Sequence, residues 1–195
     1  MVDVSKRNAS DFKPLLERYG DLLKKIEIDT KTILLSEGEY ARRLYFIEKG
    51  CLRLWFNNRG EDVTVQFFFE GDRVASAESF FGNQPSFFNL ETLEPSVLYY
   101  MTKKNFETIL ENDPDVSKGL LQVLTQRFMY YAQLHLSFIK DTPTDRYIEL
   151  LKTQPRIVQR VPQHYIASYL GITPVSLSRI RTRISSVRNN KIATP

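Results

Sequence analysis

The stretch Ile166–Ile184, "IASYLGITPVSLSRIRTRI", contains two helical segments around a single glycine, Gly171. Gly171 stands where a helix can end in a left-handed cap. Thr173 can cap the following helix, and Pro174 suits its first turn. Because so short a connection brings two helices together at a steep angle, the sequence predicts a helix-turn-helix.

The second of these helices has an apolar side and a polar side when it is drawn at about 100° per residue. The apolar side consists of Leu177, Ile180, Ile184 and Val187. The polar side and its flanks hold our candidate DNA-binding residues, which are Thr173, Val175, Ser176, Ser178, Arg179, Arg181, Thr182 and Arg183. Arg179 is the candidate for reading a guanine edge, and Arg181 and Arg183 are candidates for phosphate contacts. For any single arginine, a solvated helix residue is the alternative.

Positive charge is concentrated in the same region. Residues 141–195 contain 9 Lys+Arg and 3 Asp+Glu, whereas residues 1–140 contain 18 and 20, and no carboxylate side chain follows Glu149. A segment of this kind is a source of positive potential for a polyanion such as double-stranded DNA. A basic tail that serves solubility is the alternative.

The hydrophobic period divides the first hundred residues into helices and strands. Apolar residues from Phe12 to Ile26 recur at helical spacing and predict one or two short helices. From Lys31 to Tyr100, short alternating runs separated by turn residues predict an all-β barrel or roll. The residues Ala75–Asn83 interrupt the alternation and predict one short helix between strands.

One strand, "VTVQFFF" at Val63–Phe69, alternates most clearly. Strict alternation would place Val63, Val65, Phe67 and Phe69 on one face of the sheet and Thr64 and Gln66 on the other.

A long helix is predicted after the strands. Apolar and aromatic residues recur every three or four positions over a length that is more typical of a bridging helix than of a core helix. We predict a dimerisation helix over residues 114–140, whose seam contains Leu121, Leu124, Phe128, Tyr131, His135 and Phe138. Packing of this stripe on the chain's own roll is the alternative.

A capped restart at "DTPTD", with Thr142 as N-cap and Pro143 in the first turn, marks a domain boundary near Asp141. The predicted organisation is therefore a β-roll in residues 1–113, the dimerisation helix in 114–140 and a helix-turn-helix domain in 141–195.

Composition excludes several functional classes. Cys51 is the only cysteine, so an internal disulfide or a cysteine-based metal centre is excluded. No segment is long and apolar enough to span a bilayer, and we expect a cytoplasmic protein without a membrane partner. Residues 31–100 contain no histidine for a cupin-type metal site, and no nucleophile with a paired base stands out. We therefore expect no enzyme, no catalytic residue and no metal.

A β-roll, a long helix and a helix-turn-helix, in this order, resemble the Crp/Fnr family of bacterial transcription regulators. The likeness is carried by "LYFIEKGCLRLWF" at 44–56, "FFEGD" at 68–72 and the stretch quoted first. The resemblance implies an α+β fold with an N-terminal double-stranded β-helix of jelly-roll type, similar to cyclic-nucleotide-binding domains, and a homodimer bound to DNA. RNA polymerase is a further candidate partner by the same resemblance.

Carried over by position, Thr173 and Ser176 match phosphate contacts of the family, and Arg179 matches a base-reading arginine. The best-known members have an arginine and a glutamate where this chain has Pro174 and Val175. Since valine cannot accept a hydrogen bond from cytosine but can touch a thymine methyl, we expect a different preferred site. Only eleven residues follow Ile184, so we expect the family's C-terminal β-wing to be absent or vestigial.

The effector pocket departs further from the family pattern. The resemblance places it at Ser76, Glu78, Ser79, Phe80, Ser86, Phe87 and Phe88. Family members use a glutamate for the ribose and an arginine for the phosphate; Glu78 lies near the glutamate position, but residues 78–98 contain no lysine or arginine. Because a buried phosphate needs a cation, we expect no cyclic AMP cofactor, and either a more apolar effector or none. The alternative function is a cyclic-nucleotide or other small-molecule-binding module whose helix-turn-helix contacts proteins.

Overall fold

Short β-branched and aromatic runs form eight strands in the N-terminal half of the chain. The computed structural model describes the backbone of residues 13–192 and the side chains of residues 14–186. The strands are β1 (Lys24–Ile28), β2 (Ile33–Leu35), β3 (Arg43–Lys49), β4 (Leu52–Asn58), β5 (Glu61–Phe68), β6 (Arg73–Val74), β7 (Asn89–Thr92) and β8 (Ser96–Thr102).

Helices flank the strands and make up the C-terminal half. They are α1 (Lys13–Tyr19), which a 3₁₀ turn at Gly20–Leu22 follows, α2 (Ala77–Gly82), α3 (Lys103–Asn112), α4 (Pro114–Lys140), α5 (Pro143–Thr153), α6 (Pro155–Arg160), α7 (Gln163–Tyr169) and α8 (Pro174–Ile192). No helix in the described part of the chain combines the length and the apolarity that crossing a bilayer requires.

The strands form two antiparallel four-stranded sheets, in the orders β1-β8-β3-β6 and β2-β7-β4-β5. A first apolar core, which includes the fully buried Ile47, Leu52 and Leu98, lies between them. This arrangement confirms the predicted β-roll, with α2 as the short helix between β6 and β7. The predicted long helix is also confirmed, since α4 spans residues 114–140.

The prediction for Phe12–Ile26 is wrong at its C-terminal end. Residues 24–28 form β1 and pair with β8, where Ile26 lies opposite Leu98. For so short a segment with alternating burial, pairing at the edge of a sheet is more favourable than one further helical turn. Tertiary pairing therefore overrides the helical spacing of its apolar residues. Phe12 lies outside the described residues.

The prediction that Val63, Val65, Phe67 and Phe69 share one face is also wrong. The pairing of β4 with β5 shifts register between Leu54 and Trp55, which adds an unpaired residue, Val65, to β5. Beyond this bulge the alternation is inverted. Phe68 therefore enters the core of the roll, whereas Phe67 and Phe69 face outward into a second apolar cluster.

The second cluster joins the outer face of the roll to the C-terminal helices. It contains Cys51, Phe67 and Phe69 from the strands and, from the helices, residues such as Tyr147, Ile166 and Leu177. The helix α5 begins at the capping box that the sequence predicts, with Thr142 and Asp145 bonded reciprocally. The helical end of the chain is thus packed directly on the sheet β2-β7-β4-β5.

Candidate functional site

The turn between α7 and α8 has the predicted geometry. Gly171 has a left-handed backbone with φ of +67°. The amide of Ile172 donates to the carbonyl of Ala167 at 3.0 Å, which closes the end of α7. The hydroxyl of Thr173 accepts a hydrogen bond from the amide of Ser176 at 3.2 Å and so caps α8. These bonds fix the direction in which α8 leaves the turn.

The predicted apolar side of α8 is confirmed for the residues whose side chains are described. Leu177 and Ile180 are buried in the second cluster, and Ile184 packs against it. The side chain of Val187 lies outside the described residues. Val175, on the opposite side, is 60% exposed, and the polar residues beside it on that side, Ser178, Arg179 and Thr182, are exposed too.

The three arginines of α8 differ in their partners. Arg179 is exposed and makes no hydrogen bond or ion pair with another described residue. Arg181 is half-buried, and it too has no such bond within the described part of the chain. Arg183 donates from Nη2 to the hydroxyl of Thr144 in α5 at 2.8 Å. The three positions that look equivalent in sequence are therefore distinct in the structure.

Two other arginines of the C-terminal segment are neutralised within the chain. Arg156 and Arg160 of α6 both pair with Glu70, and Arg160 also pairs with Glu94. Although burial raises the pKa of Glu70, hydrogen bonds from Arg160 and from the Gly50 amide outweigh it and lower the pKa to about 2. The charge count of residues 141–195 therefore overstates the positive potential that is open to a polyanion.

Helix α7 is anchored on the roll by its polar side. The hydroxyl of Ser168 accepts from the amide of Thr64 at 2.9 Å and donates to the carbonyl of Asp62 at 2.8 Å. The ring of Tyr169 lies 5.4 Å from that of Phe67. Burial raises the pKa of Tyr169, whose hydroxyl is bonded to that of Tyr130 in α4.

A buried arginine lies at the centre of this contact. Arg53 of β4 is 2% exposed, and it donates to Glu91 and Asp62 at 2.7 Å each. Its guanidinium lies 4.6 Å from the ring centroid of Trp55 and 3.8 Å from that of Tyr165 in α7. Arg53 is not among the site residues predicted from the sequence. The signal available was its position between Cys51 and Trp55 on one face, which favours burial over solvation.

The predicted dimer seam divides into two groups. Leu121, Leu124, Phe128 and His135 lie on one exposed face of α4. Tyr131 instead turns toward the roll and donates to Gln66, and its pKa is raised by burial. Phe138 is 42% exposed but lies under Arg146 and beside Gly171. The exposed face continues with Ile139 rather than with Tyr131 and Phe138, because α4 must also cover the roll.

The predicted effector residues come together only in part. The hydroxyl of Ser76 donates to the carboxylate of Glu78 and is bonded to the hydroxyl of Ser86 at 2.6 Å. The same carboxylate accepts from the amide of Phe87 at 3.1 Å. Both bonds reach the same oxygen of Glu78, Oε1.

The remaining predicted effector residues have other surroundings. Ser79 accepts from the Ala41 amide, Phe80 is buried in the first core, Phe88 packs against that core, and Phe87 is exposed. A cavity of about 500 Å³ beside Ser76 is lined by Arg42 and Arg43, so cations do reach this region from outside residues 78–98.

Comparison with known proteins agrees with this architecture. Residues 25–113 match the family described as cyclic nucleotide-binding domain. Comparison with curated proteins gives no significant match.

Several solved structures share the fold over most of their length. FixK2 from Bradyrhizobium japonicum has a TM-score of 0.74 at 16% identity, over 84% of this chain and 85% of that one. The regulator CLP from Xanthomonas campestris, described as c-di-GMP-responsive, has a TM-score of 0.72 at 17% identity, over 89% and 92%. A CooA mutant from Carboxydothermus hydrogenoformans has a TM-score of 0.72 at 17% identity, over 94% and 86%. Residues 25–113 are therefore similar to cyclic nucleotide-binding domains, and the chain as a whole shares the fold of these solved structures, which are regulators of the Crp/Fnr family.

Proposed function

We propose that the protein is a homodimeric, DNA-binding transcription regulator in which α7 and α8 form the helix-turn-helix and α8 enters the major groove. The observation that carries the proposal is the free outer face of α8. Leu177 and Ile180 hold the helix on its support, while Val175, Ser178, Arg179 and Thr182 are exposed on the other side. A capped helix that is packed on one side and polar on the other is suited to act as a recognition helix in the major groove.

The residues of α8 have separate roles in this proposal. Arg179 reads a guanine edge, since its guanidinium has no partner in the described part of the chain, and Val175 contacts a thymine methyl. Arg181 contacts phosphate at the flank of the helix. Arg183 does so only if it shares or gives up its bond to Thr144. Thr173 and Ser176, whose hydroxyls are bonded to each other at the N-terminus of α8, contact phosphates of the DNA backbone.

The dimer is formed along the exposed face of α4. Leu121 and Phe128 are 66% and 70% exposed, and Ile139 continues the same face one turn beyond His135. Contiguous apolar residues on a long helix are covered by a partner in stable proteins. A second copy of α4 supplies an equivalent face, and two-fold pairing would present two copies of α8 to DNA.

Cyclic AMP bound in the family manner is not part of the proposal. One oxygen of the Glu78 carboxylate, which would meet the ribose, already accepts from the hydroxyl of Ser76 and from the amide of Phe87. A ribose hydroxyl that bonds to this oxygen would compete with the internal hydrogen bonds, so the net gain in binding free energy would be small.

Fluorescence anisotropy tests the DNA proposal. Duplexes are selected from a random pool with the full chain, and affinity is then measured at several salt concentrations for the wild type, Arg179→Ala and Arg181→Ala. We expect Arg179→Ala to lose about 1–3 kcal/mol and to relax discrimination at one position. Arg181→Ala should weaken all duplexes equally and lower the salt slope by about 1. An affinity that is independent of salt and unaffected by Arg179→Ala would favour the protein-binding module instead.

A further inference from the structure

A second cavity lies outside the predicted effector pocket, between the roll and the N-terminal half of α4. Its volume is about 340 Å³, and none of the seven predicted effector residues lines it. Strand β3 and the helices α2, α3 and α4 contribute most of its lining, which is largely apolar and includes Phe46, Phe81, Phe106, Leu120 and Val123. Two cations, Arg73 and Arg127, also line it. The volume falls at the lower end of the range of about 300–1,000 Å³ for small-molecule sites.

One of these two cations, Arg127, has no counter-charge among the residues that the structure describes. Arg127 is half-buried, and its Nη2 donates to the carbonyl of Arg73 at 3.1 Å. Its guanidinium lies 5.2 Å from the ring centroid of Phe68. Within residues 14–186 no carboxylate forms an ion pair with Arg127. A half-buried guanidinium with neutral partners is stabilised by any anion that can reach it, because charge-assisted hydrogen bonds are stronger than neutral ones.

These two observations define a ligand class. The apolar walls favour an aliphatic or aryl body, and Arg127 favours an acidic head. We propose that this cavity binds a medium-chain carboxylate, with the chain among the phenylalanines and the carboxylate on the guanidinium of Arg127. This site contains none of the predicted effector residues, and it shares only Ala75 with the cavity beside Ser76.

Because of the position of the cavity, a bound ligand can influence α4. Leu124 lines the cavity and is also one of the exposed residues of α4. A ligand that fills the space therefore restrains the helix on which the proposed dimer depends. This regulatory hypothesis rests on the proposed function, whereas the proposed binding site does not.

Isothermal titration calorimetry on the full chain tests the site without DNA. Decanoate, below its micellar concentration, is the probe, and decanol is the matched compound without a charge. We expect decanoate to bind at least tenfold more tightly than decanol. Arg127→Gln should lower the affinity for decanoate to that for decanol. Lys118→Gln removes an exposed cation from the same helix without lining the cavity, and it should leave binding unchanged.

A second variant tests whether filling the cavity with a side chain prevents ligand binding. Gly119 lines the cavity, and a Cβ added there meets no atom within 4 Å. Gly119→Leu should therefore fill the space and abolish decanoate binding while the far-ultraviolet circular dichroism stays native. Binding that is absent in the wild type, or equal in Arg127→Gln and wild type, would overturn the assignment. Since no DNA is present, such a result leaves the anisotropy experiment to decide the proposed function independently.

Discussion

The guanidinium of Arg53, on the outer face of β4, lies 3.8 Å from the ring centroid of Tyr165 in α7. Arg53 also joins β7 and β5 through Glu91 and Asp62. One buried side chain of the roll therefore contacts two neighbouring strands and the first helix of the proposed helix-turn-helix.

Replacing Arg53 by methionine should strongly destabilise the protein. The change leaves Glu91, which is buried, without its partner, and an uncompensated buried charge of this kind costs about 3–5 kcal/mol. Urea denaturation measures the free energy of unfolding. Asp62→Asn is the control, because the Asp62 side chain is 40% exposed and its pair with Arg53 should contribute less than about 1 kcal/mol. Equal losses in the two variants would contradict a buried network centred on Glu91.

Substitution of Gly171 by alanine should combine backbone strain with a close contact. A φ of +67° is unfavourable for alanine by about 1–2 kcal/mol, and the new Cβ would lie 3.0 Å from Cε1 of Phe138. Gly60→Ala is the matched control, since Gly60 has a φ of +95° but open space around it. Thermal unfolding of both variants should therefore show the larger loss for Gly171→Ala, and Phe138→Leu should relieve the excess. A loss no larger than that of Gly60→Ala would show that Phe138 yields without cost.

Acid should weaken the contact between Glu70 and α6. The pKa of Glu70 is lowered to about 2 in the folded protein, from an ordinary value of about 4.3. A lowered pKa adds stability that is complete above the ordinary value and is lost as the pH falls toward the folded value. The stability difference between the wild type and Glu70→Gln should therefore shrink from pH 6 to pH 3. Chemical denaturation at each pH checks this, and a difference that stays constant would exclude Glu70 as the titrating group.

Two neighbouring aromatic residues of α4 should behave differently on substitution. Phe128→Glu places a charge in the exposed face and should convert dimers to monomers in sedimentation experiments. Tyr131→Phe removes the hydrogen bond to Gln66 and should lower stability by about 1 kcal/mol without changing the oligomeric state. Monomers for the wild type at all concentrations, or for Tyr131→Phe alone, would contradict the proposed seam.

Helix caps, the turn before α8 and the faces of helices were determined by residues that are close in sequence. The caps at Thr142 and Thr173, the left-handed Gly171 and the span of α4 all follow from side chains within a few positions. The apolar face of α8 was also predictable, because a helix of fixed period separates Leu177 and Ile180 from Arg179 without outside help.

Tertiary structure decided what depends on distant residues. The strand at Lys24–Ile28 exists because β8 offers it a pairing edge, and the bulge at Val65 sends Phe67 outward to meet Tyr169. The different surroundings of Arg53, Arg127 and Arg160 are set by side chains that lie far away in sequence. Sequence by itself determines helix caps, turns and the faces of a helix because these need only local geometry. Which charges are buried, paired or left open to a ligand is decided by packing, since it requires the whole set of neighbours.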